Sequence, residues 1–136
     1  KSFLDNYQPA FDKSFHIMGD FDLMIRMSTK YQFDCVEKPI ASYRVHAKSE
    51  TLLYKSRQIQ ELKTWQKKMI NYPIIFNNKN FSNINNIINN LEITNCILEN
   101  DTKNAWFKIR KMPYSFKKIK YLMALLLPSN FVRRFI

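Results

Sequence analysis

Two carboxylates two residues apart, Asp20 and Asp22, follow the single glycine of the chain, Gly19. They stand where a loop gives way to a helical apolar pattern, so the Asp20 carboxylate can accept backbone N–H bonds and is stabilised by the helix dipole. A carboxylate placed there either only caps the helix or also faces a ligand. Gly19 leaves room for a ligand to approach the backbone. Both interpretations of Asp20 are open on local grounds.

Three basic side chains accompany this pair. Arg26 lies four residues after Asp22, a spacing that favours a salt bridge along one helix face over substrate binding. Arg44 and His46 fall on one side of an alternating segment, so both side chains point the same way in a strand. Taken by themselves, they can be a surface arginine and a solvated histidine at the end of a strand.

The elements that would position these groups can be predicted from the pattern. Residues 1–15 are predicted to be loop, and a buried helix runs from Asp20 to about Tyr31. Two short alternating strands are predicted next, at 33–37 and 40–46, separated by Pro39. Helix followed by two strands is typical of the end of an α/β domain.

The remainder is predicted to be helical. A long helix follows Ser49 and ends at Tyr72-Pro73, and a second is predicted within the asparagine-rich region 77–104, where isoleucines and leucines keep helical spacing. Shorter helices are predicted around 103–111 and 114–127. We therefore expect a chain that is mostly helical overall.

Three blocks in order resemble the second half of the catalytic domain of family 2 glycosyltransferases, which have the GT-A fold. They are Phe11-Asp12 with Phe15, then Asp20-Phe21-Asp22-Leu23 with Arg26, then Tyr43-Arg44-Val45-His46. The resemblance covers about residues 9–53. It implies that 1–53 is the C-terminal part of a GT-A domain, an α/β fragment, and that 54–136 is a helical, basic extension.

The resemblance also implies roles for residues. Asp20 matches the general base, which takes the proton of an acceptor hydroxyl as that oxygen displaces the nucleoside diphosphate with inversion. Gly19 and Asp22 would contact substrate, and many family members have Glu where Gly19 stands, which puts the acceptor's identity in question. Arg44 and His46 would lie near the donor diphosphate, with His46 a candidate ligand of its divalent metal.

Parts of the family's site have no counterpart here. The nucleotide-binding half carries a strand–helix unit and an Asp-x-Asp metal motif, and neither precedes Asp20. The resemblance thus implies a nucleotide-sugar donor, a glycan or lipid-linked acceptor, and a Mg²⁺ or Mn²⁺ ion bound mainly by the missing half. We expect this chain to be inactive alone, as part of an enzyme of cell-surface polysaccharide synthesis.

Charge is uneven along the chain. Residues 1–50 are neutral, whereas residues 51–136 hold the whole net charge of +11, and nine basic and no acidic residues follow Asp101. The last predicted helix mixes lysines with apolar side chains, as segments in anionic membrane interfaces do. We expect a cytoplasmic protein, peripheral on the inner face of the plasma membrane. The alternative is a small basic helical module that binds nucleic acid or a membrane surface, but the basic residues lie among long aliphatic runs and no base-stacking motif is seen, so nucleic acid is not expected.

Overall fold

A computed structural model describes residues 9–42, 53–127 and 132, and in them the protein is mostly helical. The chain forms two compact units, Lys1–Phe81 and Ser82–Ile136. The predicted division after residue 53 concerned the extent of the family's domain and stays a prediction.

In the described residues of the first unit there are three α-helices, α1 (Gly19–Ser28), α2 (Lys55–Lys68) and the short α3 (Pro73–Phe76). A 3₁₀ turn, Met69–Asn71, extends α2 up to Tyr72. Pro73 then opens α3 at its first position, where a missing N–H costs nothing. The predicted helices at 20–31 and before Tyr72 are therefore confirmed, with the boundaries shifted by a few residues.

Trp65 of α2 joins the two longer helices of this unit. Its indole is buried and meets the ring of Phe21 edge-on, with the ring centroids 5.0 Å apart. Phe81 lies on another side of the indole at 6.1 Å. Burial of large aromatic side chains is a main source of packing energy in small cores. The helical spacing of the apolar residues in α2 thus places its apolar face against α1.

The strands predicted at 33–37 and 40–46 are not present in the described residues 33–42, which are irregular and exposed. Val36 and Ile40 are 69% and 82% exposed. A strand needs hydrogen-bonding neighbours, and no described segment pairs with this one. The predicted strands are therefore wrong for residues 33–42, and residues 43–46 lie outside the described residues.

The second unit contains α4 (Asn83–Leu98), α5 (Thr102–Arg110) and α6 (Phe116–Leu125). All three helices predicted in this region are confirmed. Their core holds seven buried side chains: Ile93, Ile97, Ala105, Ile109, Tyr121, Ala124 and Val132. Ser115 caps α6, accepting a hydrogen bond from the Lys118 N–H at 3.3 Å.

The turn between α4 and α5 is a Schellman motif. Asn100 has a positive φ of 58°, the left-handed conformation that asparagine tolerates better than most residues. The Asp101 N–H donates to the Cys96 carbonyl at 2.8 Å, and the Asn100 N–H donates to that of Ile97 at 3.2 Å. Asp101 then caps α5 by accepting from the Asn104 N–H. Asp101 thus closes the end of α4 through its N–H and caps the start of α5 through its side chain.

No helix within the described ranges has the length and apolar character needed to cross a membrane.

Candidate functional site

The loop ahead of α1 is fixed by a turn at Asp12. The Asp12 Oδ1 accepts from the Ser14 N–H at 2.9 Å and from the Ser14 hydroxyl at 2.7 Å, and the Phe15 N–H donates to the Asp12 carbonyl at 3.0 Å. The Lys68 ammonium donates to the other Asp12 carboxylate oxygen. These hydrogen bonds, that of Lys68 foremost, lower the pKa of Asp12 to about 2. The Phe-Asp-x-x-Phe block therefore has a structural function here.

Phe15 completes that turn. Its side chain is buried, and the Lys68 ammonium lies 4.7 Å from the centroid of its ring. A cation over an aromatic face is attracted by the ring quadrupole. Lys68 thereby holds the turn through both a carboxylate and a ring.

Glu61 of α2 binds the backbone that leads into α1. Its carboxylate accepts three N–H bonds, from His16 at 3.0 Å, Ile17 at 2.8 Å and Met18 at 3.1 Å. The Arg57 Nε donates to the same carboxylate at 3.0 Å. Burial by itself would raise the pKa of Glu61, but the three backbone donors and Arg57 outweigh it and hold that pKa below its usual value. We call Glu61 with these three N–H groups the Glu61 clamp.

The three side chains of α2 that reach this region share one helix face. Glu61, Trp65 and Lys68 follow a spacing of four and then three residues, and each contacts the segment from Asp12 to Phe21. The α2 helix thus positions the loop that leads into α1 and the first turn of α1.

Asp20 lies in the first turn of α1, and its side chain is exposed. Its Oδ1 accepts from the neighbouring Phe21 N–H at 2.7 Å. It does not cap the helix, because Met18 occupies the capping position and Glu61 binds the Met18 N–H. An acidic group in the first turn is favoured by the helix dipole. The carboxylate is thus exposed and hydrogen-bonded to the first turn of α1.

Asp22 is placed differently from Asp20. It is buried, and its Oδ2 lies 2.9 Å from the Arg26 guanidinium, so the predicted salt bridge is confirmed. Arg26 also donates to the Ala10 carbonyl at 2.8 Å, which ties the loop to α1. The two carboxylates therefore do not converge on one point, and substrate binding by Asp22 stays a prediction.

Gly19 is buried at the start of α1. A Cβ added there would lie 3.7 Å from the Phe11 ring, which is an ordinary van der Waals distance. The backbone at Gly19 is therefore covered by Phe11 in this structure, and the predicted approach of a ligand to it stays a prediction.

Arg44 and His46 lie outside the described residues, so their proposed places near the donor diphosphate stay predictions. In residues 9–42 and 53–127, no three His, Cys, Asp or Glu side chains come together in a group that fits a metal ion.

The residues that sequence reasoning missed are Glu61, Arg57 and Lys68. One signal was present, since Glu61 is the sole acidic residue of the otherwise basic α2. A buried carboxylate on such a helix requires donors from elsewhere.

Comparison of the chain with models of known protein families, with curated proteins and with solved structures found no match.

Proposed function

We propose that this chain is part of an inverting family 2 glycosyltransferase, in which Asp20 is the general base. The observation that carries the proposal is the position of Asp20, an exposed carboxylate in the first turn of α1 whose preceding loop is fixed by the Glu61 clamp. The three sequence blocks that resemble the family support the same assignment. The α/β character of the GT-A domain remains part of the proposal, not of the fold described above.

The reaction needs little from the base except position and charge. The acceptor hydroxyl proton passes to an Asp20 carboxylate oxygen while the acceptor oxygen forms a bond to the anomeric carbon of the donor sugar. The bond between that carbon and the nucleoside diphosphate breaks, and the diphosphate leaves from the opposite face with the electron pair. A carboxylate is ionised at neutral pH and accepts the proton as the hydroxyl becomes acidic in the transition state.

The remaining parts of the site are assigned by resemblance. Arg44 and His46 would neutralise charge on the donor diphosphate. The Mg²⁺ or Mn²⁺ ion of such enzymes stabilises the leaving diphosphate. The described carboxylates do not fit it, because Asp22 pairs with Arg26 and no three His, Cys, Asp or Glu side chains of the described residues come together in a metal-binding group.

The test is the Asp20→Asn substitution in the full-length protein, assayed with a panel of nucleoside-diphosphate hexoses. Asparagine keeps the oxygen that accepts from the Phe21 N–H but cannot take a proton, so we expect transfer to fall about 10²–10⁴-fold. Donor binding, measured by calorimetry, should stay within about twofold because the base contributes only to the acceptor step.

Asp34→Asn is the matched control. Asp34 is also exposed and accepts the same local hydrogen bond, from the N–H of the next residue, Cys35, at 2.8 Å. The Asp34→Asn variant should transfer sugar at the same rate as the unsubstituted protein. Turnover by the Asp20 variant equal to that of the Asp34 variant would show that the base is another residue.

A further inference from the structure

The α6 helix has apolar side chains on both of its faces. Tyr121 and Ala124 point into the core of the second unit. The opposite face carries Phe116, Met123 and Leu126, which are 87%, 61% and 86% exposed. Ile119 and Leu127, at the same helical spacing or directly after the helix, complete an exposed row. A helix at an ordinary protein surface places polar residues opposite its core face. We call these five residues the α6 apolar face.

Two lysines of α6 lie on the side of the helix that faces α4. Lys117 and Lys120 are exposed and, with Tyr121, Thr94, Asn90 and Leu91, line a cavity of about 240 Å³ between α4 and α6. At ~30 Å³ for each water molecule, that cavity holds a group as large as a phosphate. The ammonium groups of lysines are suitable donors for phosphate oxygens.

Two lysines of this unit bind groups within its fold. Lys108 pairs with Glu92 at 2.6 Å, and Lys118 donates to the carbonyls of Met112 and Arg110 at the end of α5. Those two serve the fold. Lys117 and Lys120 line the cavity described above.

The exposed side of α5 has a similar composition. Trp106 and Phe107 are both more than half exposed, and Lys103 and Arg110 share that side of the helix. The Lys111 ammonium lies 4.1 Å from the centroid of the Phe107 ring. Aromatic side chains with basic neighbours are enriched where proteins meet the headgroup region of a bilayer.

We propose that α6 lies in the interface of an anionic phospholipid membrane, with the α6 apolar face in the acyl boundary and Lys117 and Lys120 at headgroup phosphates. Charge complementarity identifies the occupant, because residues 102–136 contain nine basic and no acidic side chains. The proposal does not depend on the proposed function, since it concerns the second unit and is measured without catalysis.

Other occupants fit less well. A second copy of this face would bring Lys117 and Lys120 against the same positive charges, and like charges at an interface oppose association. Nucleic acid would use the charge, but sequence-tolerant binding of single strands relies on aromatic platforms, and four of the five residues of the face are aliphatic or thioether side chains.

Co-sedimentation of the full chain with vesicles tests the proposal. We expect binding to phosphatidylcholine vesicles that contain phosphatidylglycerol and weak binding to phosphatidylcholine alone. Met123→Ser with Leu126→Ser should lower the partition coefficient at least about tenfold, because two buried side chains become polar. Lys117→Ala with Lys120→Ala should lower it about 30-fold on the anionic vesicles.

Two control variants match these changes. Ile87→Ser alters an exposed isoleucine of α4, and Lys63→Ala with Lys67→Ala removes two charges from α2. Both should bind as the unsubstituted chain does, and circular dichroism should show equal helix content in all variants. Equal binding to neutral and anionic vesicles overturns the proposal, as does retention of binding by the Met123/Leu126 variant. Tight binding to duplex DNA with none to vesicles overturns it in favour of a nucleic-acid partner.

Discussion

Glu61 connects two helices through a single carboxylate. It receives three consecutive backbone N–H groups of the loop before α1 and the Arg57 guanidinium of its own helix. Donors of this kind satisfy a buried charge that would otherwise be costly. The position of Asp20, two residues beyond the last of the three N–H groups, therefore depends on a residue more than forty positions away.

Replacement of Glu61 by glutamine tests the clamp. The amide keeps one acceptor oxygen but loses the charge, so we expect the free energy of unfolding to fall by about 1–3 kcal/mol. Urea unfolding followed by circular dichroism measures the loss. Hydrogen exchange should quicken at the His16, Ile17 and Met18 amides in particular.

Glu37→Gln serves as the control because Glu37 is an exposed residue of the irregular segment 33–42. It should unfold as the unsubstituted chain does. If the two variants had equal stabilities and equal amide exchange, the clamp would not contribute to the fold.

Contacts close in sequence were predictable at this scale, and distant ones were not. The Arg26–Asp22 pair follows from a spacing of four residues on one helix. The Lys68–Asp12 pair spans fifty-six residues, and no local pattern announces it. Asp20 was identified from the sequence blocks, but its exposure and the means of holding it required the packing of α2.

At the scale of elements, the turn between α4 and α5 shows how one asparagine differs from the others. Residues 77–104 contain eleven asparagines, and most of them lie on helical surfaces. Asn100 alone of the described non-glycine residues has a positive φ. The tight reversal between the two helices depends on it.

Substitutions at Asn100 test this turn. Asn100→Ala should destabilise the second unit by about 1 kcal/mol, because a Cβ without a compensating polar group is strained at positive φ. Asn100→Gly should be neutral or slightly stabilising, since glycine adopts this conformation freely. Thermal unfolding followed by circular dichroism compares them.

Asn86→Ala provides the control within α4. Asn86 is exposed and helical, so alanine, which has the higher helix propensity, should stabilise the helix by up to ~0.7 kcal/mol. Equal losses for alanine and glycine at position 100 would contradict the assigned role of the backbone conformation.

The five longer helices were predictable from apolar periodicity because each buries side chains against a neighbour within its own unit. Ile84, Ile88 and Leu91 kept the period despite their asparagine neighbours, and α4 formed there. Residues 33–42 do not form the predicted strands, because alternation describes one face of a half-buried strand without supplying the strand beside it. The described part of that segment has no such neighbour and leaves Val36 and Ile40 exposed.

At the scale of the whole molecule, each of the two compact units carries one of the two proposals. Asp20 and the Glu61 clamp belong to Lys1–Phe81, and the α6 apolar face belongs to Ser82–Ile136. The second unit has nine basic and three acidic residues, and its three acidic residues all precede α5. The sequence shows that the end of the chain is basic and apolar. Only the structure shows that the α6 apolar face is exposed while the opposite side of α6 packs in the core.

The most direct test of the central claim is chemical rescue of an Asp20→Ala variant in the full-length protein. Removal of the carboxylate leaves space beside an accessible position in the first turn of α1. A small carboxylate from solution can occupy that space and take the acceptor proton. We predict a low transfer rate that rises with formate concentration and then saturates, with no effect of formate on an Asp34→Ala control. Transfer by Asp20→Ala at close to the unsubstituted rate without formate would contradict the assignment of Asp20 as the base.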